Sequence, residues 1–413
     1  MIDIRAARND PDAYRDALAR KGSAGAEAFD ELLAADEQWR ALETRAGDLR
    51  AATKMKGKPT PEQLEALQAT KAELKQVEDE HEAAARRRQE LLDRVPNPPA
   101  ADVPDGDSEE DAEELRRVGD LPEFEFEPRD HLDLSAANGW IDVERGAKVS
   151  GSRFVYRVGD VALLELALYR WALDRIVAKG HVPMLPPVLV RDEAMYGTGF
   201  FPSDKGDFYD VPTDGLYLVG TSEVPLAAFH AGETLADDEL PLRYVAYSSC
   251  FRREAGAAGK DTRGMFRVHQ FDKVEMFVFC RPESSAEEHD RLLEIEEELV
   301  SELGFPYRVV NVAAGDLGAS AAKKYDIEAW FPGQSRYREI TSTSNTTDYQ
   351  ARRLDVRFRR DGKLEQVHTL NGTAVTARSL IAMLENFQQE DGSVAVPSVL
   401  ERYGAPSRVE AAG

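Results

Sequence analysis

Two segments near the N-terminus repeat apolar positions at alternating spacings of four and three residues, which is the seam pattern of a coiled coil. The first seam, within residues 27–50, is formed by Ala28, Leu32, Ala35, Trp39, Leu42, Ala46 and Leu49. The second is formed by Leu67, Thr70, Leu74, Val77, His81, Ala84, Arg88 and Leu91. Between them, Lys56-Gly57-Lys58-Pro59-Thr60-Pro61 interrupts any helix. The sequence therefore predicts a long antiparallel helical hairpin, within an N-terminal coiled-coil domain of residues 1–100.

His81 and Arg88 are unusual residues for a seam, because a closed helix pair usually buries apolar side chains there. At these two positions we expect either loose packing or side chains whose polar ends extend to solvent. The segment Val95-Pro96-Asn97-Pro98-Pro99 ends the second helix, and the acidic residues after it predict a linker over residues 101–120.

Residues 121–413 alternate between segments patterned as half-buried antiparallel strands and segments patterned as helices. The predicted strands are 244–254, 266–280, 307–312, 326–331, 337–347, 356–360 and 364–370, and the predicted helices are 163–179, 286–303 and 375–389. No G-x-G-x-x-G follows a strand and opens a helix, which disfavours a Rossmann sheet. We therefore predict an α+β domain, an antiparallel sheet flanked by helices.

The segment CFRREAGAAGKDTRGMFRVHQFDKVEM, residues 250–276, consists of two alternating stretches joined by a glycine-rich loop. Strand alternation predicts that Arg252 and Glu254 on one strand and Glu275 on the other share one sheet face. A guanidinium beside two carboxylates can bind a small molecule that carries both a phosphate and an amine. The alternative for the Arg252 and Glu254 pair is an ordinary surface ion pair.

The same loop contains Gly259-Lys260, which invites comparison with the phosphate-binding pattern G-x-x-x-x-G-K-[ST]. The spacing fails, because Glu254 stands at the first glycine and Asp261 at the hydroxyl position. Phosphate binding by this loop pattern is therefore not expected.

A second cluster follows the apolar segment 216–219, which delivers Thr221 and Glu223 two residues apart on one face. Glu223 can bind an ammonium group there, and the alternative is a helix-capping threonine beside a solvent-facing glutamate. A third cluster lies on the predicted strand 337–347, where alternation places Glu339 and Thr341 on one side. A carboxylate beside hydroxyls suits Mg²⁺ held against a triphosphate, and a plain strand is the alternative.

The last cluster is Asn371-Gly372-Thr373, which we interpret as a glycine turn before a helix that carries Arg378. An arginine one turn inside a helix can contact a nucleotide or stack on a base. A lone helical arginine is otherwise most often a surface residue.

These motifs resemble those of the class II aminoacyl-tRNA synthetases, and specifically of the seryl-tRNA synthetase family. The family pattern F-R-x-E-A-G, a T-R-G-(hydrophobic) turn and H-Q-F-x-K-V-E is matched within residues 251–275, and the resemblance extends from Met1 through Gln388. It implies the class II catalytic fold, with ATP as substrate and Mg²⁺ as cofactor. It implies that serine is activated as seryl-adenylate and transferred to tRNA-Ser.

The resemblance also assigns site residues. Serine-binding residues are implied at Thr221, Glu223, Arg252, Glu275 and Thr373. ATP-binding residues are implied at Arg252, Arg253, Glu254, Val268, Phe271, Glu339, Ile340, Thr341, Ser342 and Arg378. Arg252 and Arg378 are the implied catalytic residues, and Glu339 and Ser342 are the implied Mg²⁺ ligands. In the family, the residues matching Phe271 and Arg378 cover the two faces of adenine. The chain reads NGTAVTAR around Thr373, where many relatives carry NGSG-type sequences.

A net charge of -24 argues against a nucleic-acid partner, but acids and bases nearly balance over residues 1–95. Two basic stripes lie in this region, one formed by Arg40, Arg45, Arg50, Lys54, Lys56 and Lys58 and the other by Arg86, Arg87 and Arg88. Solvated helix faces are the alternative interpretation. The resemblance implies that the helical arm binds the long variable arm of tRNA-Ser, with tRNA-Sec as a further candidate acceptor.

Residues 163–179 and the following Val182-Pro183-Met184-Leu185-Pro186-Pro187 resemble the motif that builds the class II homodimer interface. The alternative is an amphipathic helix that ends at Gly180. The chain has only two cysteines and no apolar run of the ~18 residues that a membrane span needs, and its N-terminus has no apolar core of the signal-peptide kind. We therefore expect a cytoplasmic protein without a membrane partner.

Two other functions remain open from the sequence. A synthetase-like homologue can charge a different acceptor, such as a carrier protein, or serve a biosynthetic pathway, although relatives that charge carriers typically lack the helical arm. A non-catalytic RNA-binding homologue would have lost some of Arg252, Glu254, Glu275 and Arg378, and all four are present.

Overall fold

The computed structural model describes residues 1–54, 60–255 and 264–411. The chain forms two compact units, Met1–Pro98 and Pro99–Gly413. Among the residues that the structure describes, no helix combines the length and the apolar character needed to cross a membrane.

Over residues 1–54 and 60–98, the first unit has four helices: α1 (Ile4–Asn9), α2 (Pro11–Ala19), α3 (Ser23–Ala52) and α4 (Pro61–Arg94). Helix α4 starts at a capping box, in which the Thr60 hydroxyl accepts from the backbone N–H of Gln63 and the Gln63 side chain accepts from that of Thr60. Ion pairs join the start of α3 to the end of α4 and the end of α3 to the middle of α4, as in Arg87–Glu31 at 2.9 Å and Arg50–Glu78 at 3.0 Å. The two long helices therefore run antiparallel.

All of the predicted seam residues on both helices are buried or half-buried, which confirms the coiled-coil hairpin. Arg88 and His81 fit the seam for a reason that the sequence alone does not give. The buried carboxylate of Asp36 on α3 accepts hydrogen bonds from Arg88 at 2.7 Å, Arg40 at 3.0 Å and Arg8 at 3.2 Å. The Arg88 guanidinium also lies over the ring of Trp39, at 4.8 Å from its centroid. His81 stacks on the same ring, with the centroids 5.6 Å apart.

Asp36 should be a main determinant of the stability of the hairpin. Burial alone raises the pKa of Asp36, but the hydrogen bond and charge of Arg88, with Arg8 and Arg40, outweigh it and lower the pKa below its ordinary value. We expect Asp36→Asn to reduce the opening free energy of α3 and α4 by about 2 kcal/mol, because it leaves Arg88 without its buried partner. Hydrogen exchange of the α3 and α4 amides measures this loss.

The sign of the pH dependence follows from the lowered pKa. The stabilisation by Asp36 is present above the ordinary aspartate pKa and is lost as the pH falls through the lower folded-state value, so wild type and variant should converge in acid. The exposed Asp48 on the same helix provides the matched control, and Asp48→Asn should change protection by less than about 0.5 kcal/mol. Equal effects of the two substitutions would contradict the role of Asp36.

The second unit contains the sheets and the remaining helices. Its helices are α5 (His131–Asn138), α6 (Val143–Ser150), α7 (Asp160–Ala178), α8 (Asp192–Thr198), α9 (Glu223–Ala228), α10 (Ser285–Leu303), α11 (Tyr349–Leu354) and α12 (Ala377–Asn386). Its strands are β1 (Glu113–Val118), β2 (Ile141–Asp142), β3 (Tyr156–Arg157), β4 (Val182–Met184), β5 (Leu189–Arg191), β6 (Asp210–Val211), β7 (Leu216–Leu218), β8 (Thr234–Ala236), β9 (Leu242–Phe251), β10 (Gln270–Cys280), β11 (Tyr307–Asn311), β12 (Lys323–Phe331), β13 (Arg336–Asn345), β14 (Arg357–Arg360), β15 (Lys363–Gln366), β16 (His368–Thr376), β17 (Val394–Ala395) and β18 (Arg408–Val409).

Eight of these strands form the main sheet, in the order β1-β11-β12-β13-β16-β10-β9-β4. Neighbouring strands are antiparallel, apart from the parallel pair β4 and β9. Helices α7, α10 and α12 contribute Leu168, Leu292 and Leu380 to the apolar core that covers this sheet. The predicted antiparallel sheet flanked by helices is confirmed.

Several element boundaries differ from the sequence prediction. Residues 113–118, within the predicted linker of residues 101–120, form β1 and pair with β11 at the edge of the sheet. The predicted strand 364–370 is two strands, β15 and β16, and the second continues to Thr376. The predicted helix 375–389 begins only at Ala377, because the Thr376 side chain caps it by accepting from the backbone N–H of Arg378 at 3.1 Å.

Candidate active site

A cavity of about 520 Å³ opens beside the centre of the main sheet. It is lined by every predicted site residue except Arg253 and Thr341, namely Thr221, Glu223, Arg252, Glu254, Val268, Phe271, Glu275, Glu339, Ile340, Ser342, Thr373 and Arg378. These residues come from regions far apart in the sequence. The fold therefore brings all four predicted clusters to one cavity.

Arg252 and Glu254 reach the cavity from a loop, not from a strand as the alternation had predicted. Strand β9 ends at Phe251, and Glu254 has a left-handed backbone with φ of 55°. The Arg252 side chain is held by a 3.0 Å hydrogen bond from Nε to the carbonyl of Gly220. The Glu254 carboxylate accepts from Arg267 at 2.8 Å. The guanidinium and the two carboxylates still line one cavity, because the end of β9 lies beside the start of β10, with Phe251 opposite Gln270.

Arg253 points away from the cavity. Its guanidinium lies over the ring of Tyr209, 5.3 Å from the centroid, and its backbone N–H donates to the carbonyl of Asp207 at 2.8 Å. Arg252 and Glu254 thus line the cavity, and Arg253, the residue between them in the sequence, lies outside it. This geometry makes Arg253 a useful control residue.

One end of the cavity is rich in carboxylates and hydroxyls. Glu223 is the first residue of α9, and its Oε1 accepts from the Gln350 amide at 2.7 Å. Burial, together with the nearby charge of Glu275, raises the pKa of Glu223 to about 7. The hydroxyl of Thr373 donates to Glu275 at 3.2 Å. Two acidic side chains and the hydroxyls around them can bind a small molecule that carries both an ammonium group and a hydroxyl group.

Lys273 is a residue of this end that the sequence reasoning missed. Its ammonium group donates to the hydroxyl of Thr221 at 2.7 Å and forms an ion pair with Glu275. Lys273 lies two residues before Glu275 on β10, so the alternation that selected Glu275 would also have found it. The polar groups at this end therefore already accommodate one ammonium group, that of Lys273.

The other end of the cavity is formed by β13 and the start of α12. The register between β12 and β13 shifts at Ile340, so that Ile327 is opposite Thr341 and Glu328 is opposite Glu339. This irregularity breaks the predicted alternation. Glu339 and Ser342 line the cavity, whereas Thr341 is buried and its hydroxyl donates to the backbone carbonyl of Thr373.

Glu339 lies among cations. Arg378 donates to its backbone carbonyl at 3.0 Å and forms an ion pair with its carboxylate at 3.3 Å. Burial on its own raises the pKa of Glu339, but the charges of Arg378, Lys324 and Arg252 outweigh it, so the pKa lies well below its usual range. An ionised carboxylate and the Ser342 hydroxyl are oxygen donors of the kind that Mg²⁺ takes, together with substrate oxygens. Over the described residues there is no cluster of three or more His, Cys, Asp or Glu suited to a metal.

The predicted glycine turn at residues 371–373 is wrong, because these residues lie inside strand β16. Gly372 is needed there for space. A Cβ at this position would come within 2.8 Å of Oε1 of Glu296, a buried residue of α10. Asn371 and Thr373, on either side of it, line the cavity.

Further lining residues were not predicted as site residues, although Phe266 begins the predicted strand 266–280 and Lys324 lies just before the predicted strand 326–331. Phe266 lies between two guanidinium groups, with Arg338 at 3.8 Å and Arg378 at 4.7 Å from its ring centroid. Lys324, on β12, lies across from Ser344 in the sheet. Phe271, predicted to cover one face of adenine, lines the cavity beneath Arg252, whose guanidinium is 5.2 Å from its ring centroid.

The antiparallel sheet, with its cavity of arginines and carboxylates above the strands, defines the catalytic domain of a class II aminoacyl-tRNA synthetase. The family described as tRNA synthetase class II core domain (G, H, P, S and T) matches residues 208–387. The family described as seryl-tRNA synthetase N-terminal domain matches residues 1–99. The chain belongs to the seryl-tRNA synthetase family.

Individual relatives are similar over nearly the whole chain. The serine--tRNA ligase of Thermobifida fusca (strain YX) is 52% identical over 412 residues, which cover 98% of this chain and 97% of that protein. The serine--tRNA ligase of Streptomyces coelicolor is 51% identical, with the same coverage. The crystal structure of seryl-tRNA synthetase from Pyrococcus horikoshii complexed with ATP has a TM-score of 0.95 at 42% identity and covers 100% of both chains.

Proposed function

We propose that this chain activates L-serine with ATP to form seryl-adenylate and then transfers serine to tRNA-Ser. One observation carries the proposal: a single cavity of about 520 Å³ joins an acidic, hydroxyl-rich end to an end with Arg378 and the ionised Glu339. The first end has the chemistry to bind the ammonium and hydroxyl groups of serine, and the second the chemistry to bind a nucleotide with its phosphates.

In the first step, a carboxylate oxygen of serine attacks the α-phosphorus of ATP, and the bond to the β-phosphate oxygen breaks to release pyrophosphate. No side chain acts as a nucleophile, because positioning and charge neutralisation carry this chemistry. Arg252 lines the cavity beside Glu254 and Glu275 and stabilises the charge that builds up at the α-phosphate. Arg378 binds the nucleotide at the far end. In the second step, the adenylate carbonyl is attacked by the terminal adenosine of tRNA-Ser and AMP leaves.

Glu223 and Glu275 bind the serine ammonium and hydroxyl groups, with Thr221 and Thr373 beside them. Before serine binds, Glu275 is paired with Lys273 and accepts from Thr373, so these side chains are already oriented. A site built to hydrogen-bond a hydroxyl rejects analogues that lack it, because its own polar groups are then left unpaired. This arrangement supports preference for serine over alanine.

The raised pKa of Glu223 predicts how serine binding depends on pH. With the pKa raised to about 7 by burial and by Glu275, Glu223 is mostly neutral at about pH 6 and mostly ionised at about pH 8. Only the carboxylate attracts the ammonium, so KM for serine should fall by about tenfold over this range. Steady-state pyrophosphate exchange measures it, with KM for ATP as the internal control. Glu223→Gln should remove the dependence, and a constant KM for serine in the unmodified chain would contradict the assignment.

Mg²⁺ is proposed as the cofactor, held by Glu339 and Ser342 together with phosphate oxygens of ATP. Both residues offer only oxygen donors, which suits a hard cation. Burial raises the pKa of Glu339, but the charges of Arg378, Lys324 and Arg252 lower it further, so the carboxylate is ionised and can bind the cation. When bound, the ion neutralises phosphate charge.

The first unit is proposed to bind the long variable arm of tRNA-Ser by shape and backbone contacts. Several arginines of the predicted basic stripes are paired within the hairpin, as in Arg45–Glu73 at 2.7 Å and Arg87–Glu31 at 2.9 Å. Lys56 and Lys58 lie outside the described residues. Exposed ion pairs of this kind are weak, so phosphates of the tRNA can compete for the arginines. tRNA-Sec remains a further candidate acceptor.

A homodimer is proposed through the surface of α7 and β4. Leu163 and Leu166 on α7 are 50% and 59% exposed, and Val182 and Leu185 nearby in the sequence are 55% and 83% exposed. Exposed apolar groups of this extent mark protein interfaces, and in this family the corresponding helix and strand are expected at the contact between two copies.

The cytoplasm is the proposed location.

The function is tested by exchange of labelled pyrophosphate into ATP with each amino acid in turn, followed by charging of tRNA-Ser. Serine alone should support rapid exchange, and the same preparation should charge tRNA-Ser. Exchange with another amino acid in place of serine would overturn the proposed substrate. Serine-dependent exchange without charging of tRNA-Ser would favour the alternative, a homologue that charges a different acceptor.

A further inference from the structure

A buried hydrogen-bonded chain connects α12, which carries Arg378, to the segment at Met265. Glu385 on α12 accepts from Nδ1 of His131 at 3.0 Å and from the His131 backbone N–H at 3.2 Å. On the other side of the ring, Nε2 of His131 accepts from the backbone N–H of Met265 at 3.3 Å. His131 is 4% exposed and Glu385 is fully buried. None of the motifs described above includes His131 or Glu385.

The partners determine the tautomer of the His131 ring. A backbone N–H can only donate, so Nε2 must be the unprotonated nitrogen and Nδ1 must carry the hydrogen that Glu385 accepts. The second oxygen of Glu385 accepts from the backbone N–H of Gly333 at 3.2 Å, which fixes the carboxylate. Glu385 therefore orients the ring, and the ring in turn offers its one acceptor to Met265.

Met265 begins a segment of the chain that lines the cavity. Met265, Phe266 and Val268 all line the cavity. Gly264, immediately before them, has φ of +80°, and a Cβ there would come within 2.3 Å of Nε2 of His131. The backbone thus passes directly against the imidazole ring. The next residue, Phe266, contacts Arg378 at 4.7 Å from its ring centroid, so the position of Met265 determines the surface on which this guanidinium rests.

We propose that His131 and Glu385 are positioning residues for ATP. They hold the backbone at Met265 so that Phe266 and Arg378 keep their places in the cavity wall. This inference rests on the proposed function, since it takes ATP as the ligand at that end of the cavity. Neither residue touches the cavity itself, and both act through Met265.

Two conservative substitutions separate the two contacts of the ring. The amide of His131→Gln reaches the position of Nε2 and keeps an acceptor for Met265. The amide of His131→Asn reaches only the position of Nδ1 and keeps the donor to Glu385. We expect His131→Asn to raise KM and Kd for ATP by about tenfold and to leave KM for serine within about twofold, while His131→Gln stays within about threefold of the unmodified chain. Serine-dependent exchange measures KM, and calorimetry with ATP alone measures Kd.

Equal effects of the two variants, or a parallel rise in KM for serine and for ATP, would overturn the proposal in favour of a purely structural role. Hydrogen exchange at the Met265 amide of the unmodified chain gives a test that does not depend on a variant folding. Slow exchange is expected there, and rapid exchange would overturn the proposal. Failure of the proposed function would instead appear as absent serine-dependent exchange in the unmodified chain, with the calorimetric comparison still informative.

Discussion

Arg252→Ala should lower serine-dependent pyrophosphate exchange by about 10³-fold while leaving the chain folded. The Arg252 side chain is exposed to the cavity and contributes no buried apolar group to the core, so its removal costs little stability. Its loss removes a fixed cation from a wall that also carries Glu254 and Glu275. The α-phosphate would then lack the guanidinium of Arg252, because Arg267 and Lys273 are already paired with these two carboxylates. The charge that builds up in the transition state would be left unstabilised.

The adjacent residue provides a matched control for this prediction. Arg253→Ala removes the same charge one residue away, but Arg253 lies over Tyr209 and does not line the cavity. We expect Arg253→Ala to retain exchange within a few-fold of the unmodified chain. If the two alanine variants lose exchange equally, or if Arg252→Ala keeps it, the role of Arg252 is wrong. The same comparison tests whether the resemblance correctly placed Arg253 among the ATP contacts.

Removal of the first unit should separate activation from charging. A chain that lacks residues 1–98 keeps the whole main sheet and every residue that lines the cavity, so serine-dependent exchange should remain within about threefold. Charging of tRNA-Ser should fall by about 10²-fold in kcat/KM, because the proposed contact with the variable arm is lost. Exchange and charging are measured on the same preparation.

The structure also shows where this truncation should be made. Ile2, Ala7 and Leu18, before α3, pack in one core with Phe29 and Leu32 of α3. A deletion of α3 and α4 alone would expose the apolar side of α1 and α2, so the whole unit is removed instead. Charging that equals that of the full chain would contradict the function of the arm. Loss of exchange together with charging would show that the catalytic unit depends on the arm for its fold.

The helical hairpin and the type of sheet were predictable because their determinants are local. Heptad spacing along one helix specifies its seam, and alternation along one strand specifies its buried face. Asp36 was not predictable as the partner of Arg88, because the pair forms between helices, 52 positions apart. The same applies to Glu385 and His131, which are 254 positions apart. Each pair is visible only when the fold is known.

Within the site, the residue identities were more predictable than the local geometry. Motif resemblance selected Glu339, Ser342 and Thr373, which all line the cavity, and also Arg253 and Thr341, which do not. Simple alternation likewise paired Glu339 with Thr341, because nothing in the sequence marks the register shift at Ile340. Gly372 suggested a turn, whereas its lack of a side chain accommodates Glu296 inside a sheet. From the sequence alone, a glycine required for a turn cannot be distinguished from a glycine required for close packing inside a strand.

A crystal structure of this chain with a non-hydrolysable sulfamoyl analogue of seryl-adenylate tests these site assignments directly. We expect the serine amino group within about 3.2 Å of the Glu223 carboxylate, the sulfamoyl oxygens at the guanidinium of Arg252, and the adenine beside Arg378 and Phe271. An analogue bound elsewhere, or bound in the reverse direction with adenine against Glu223 and Glu275, would contradict these assignments.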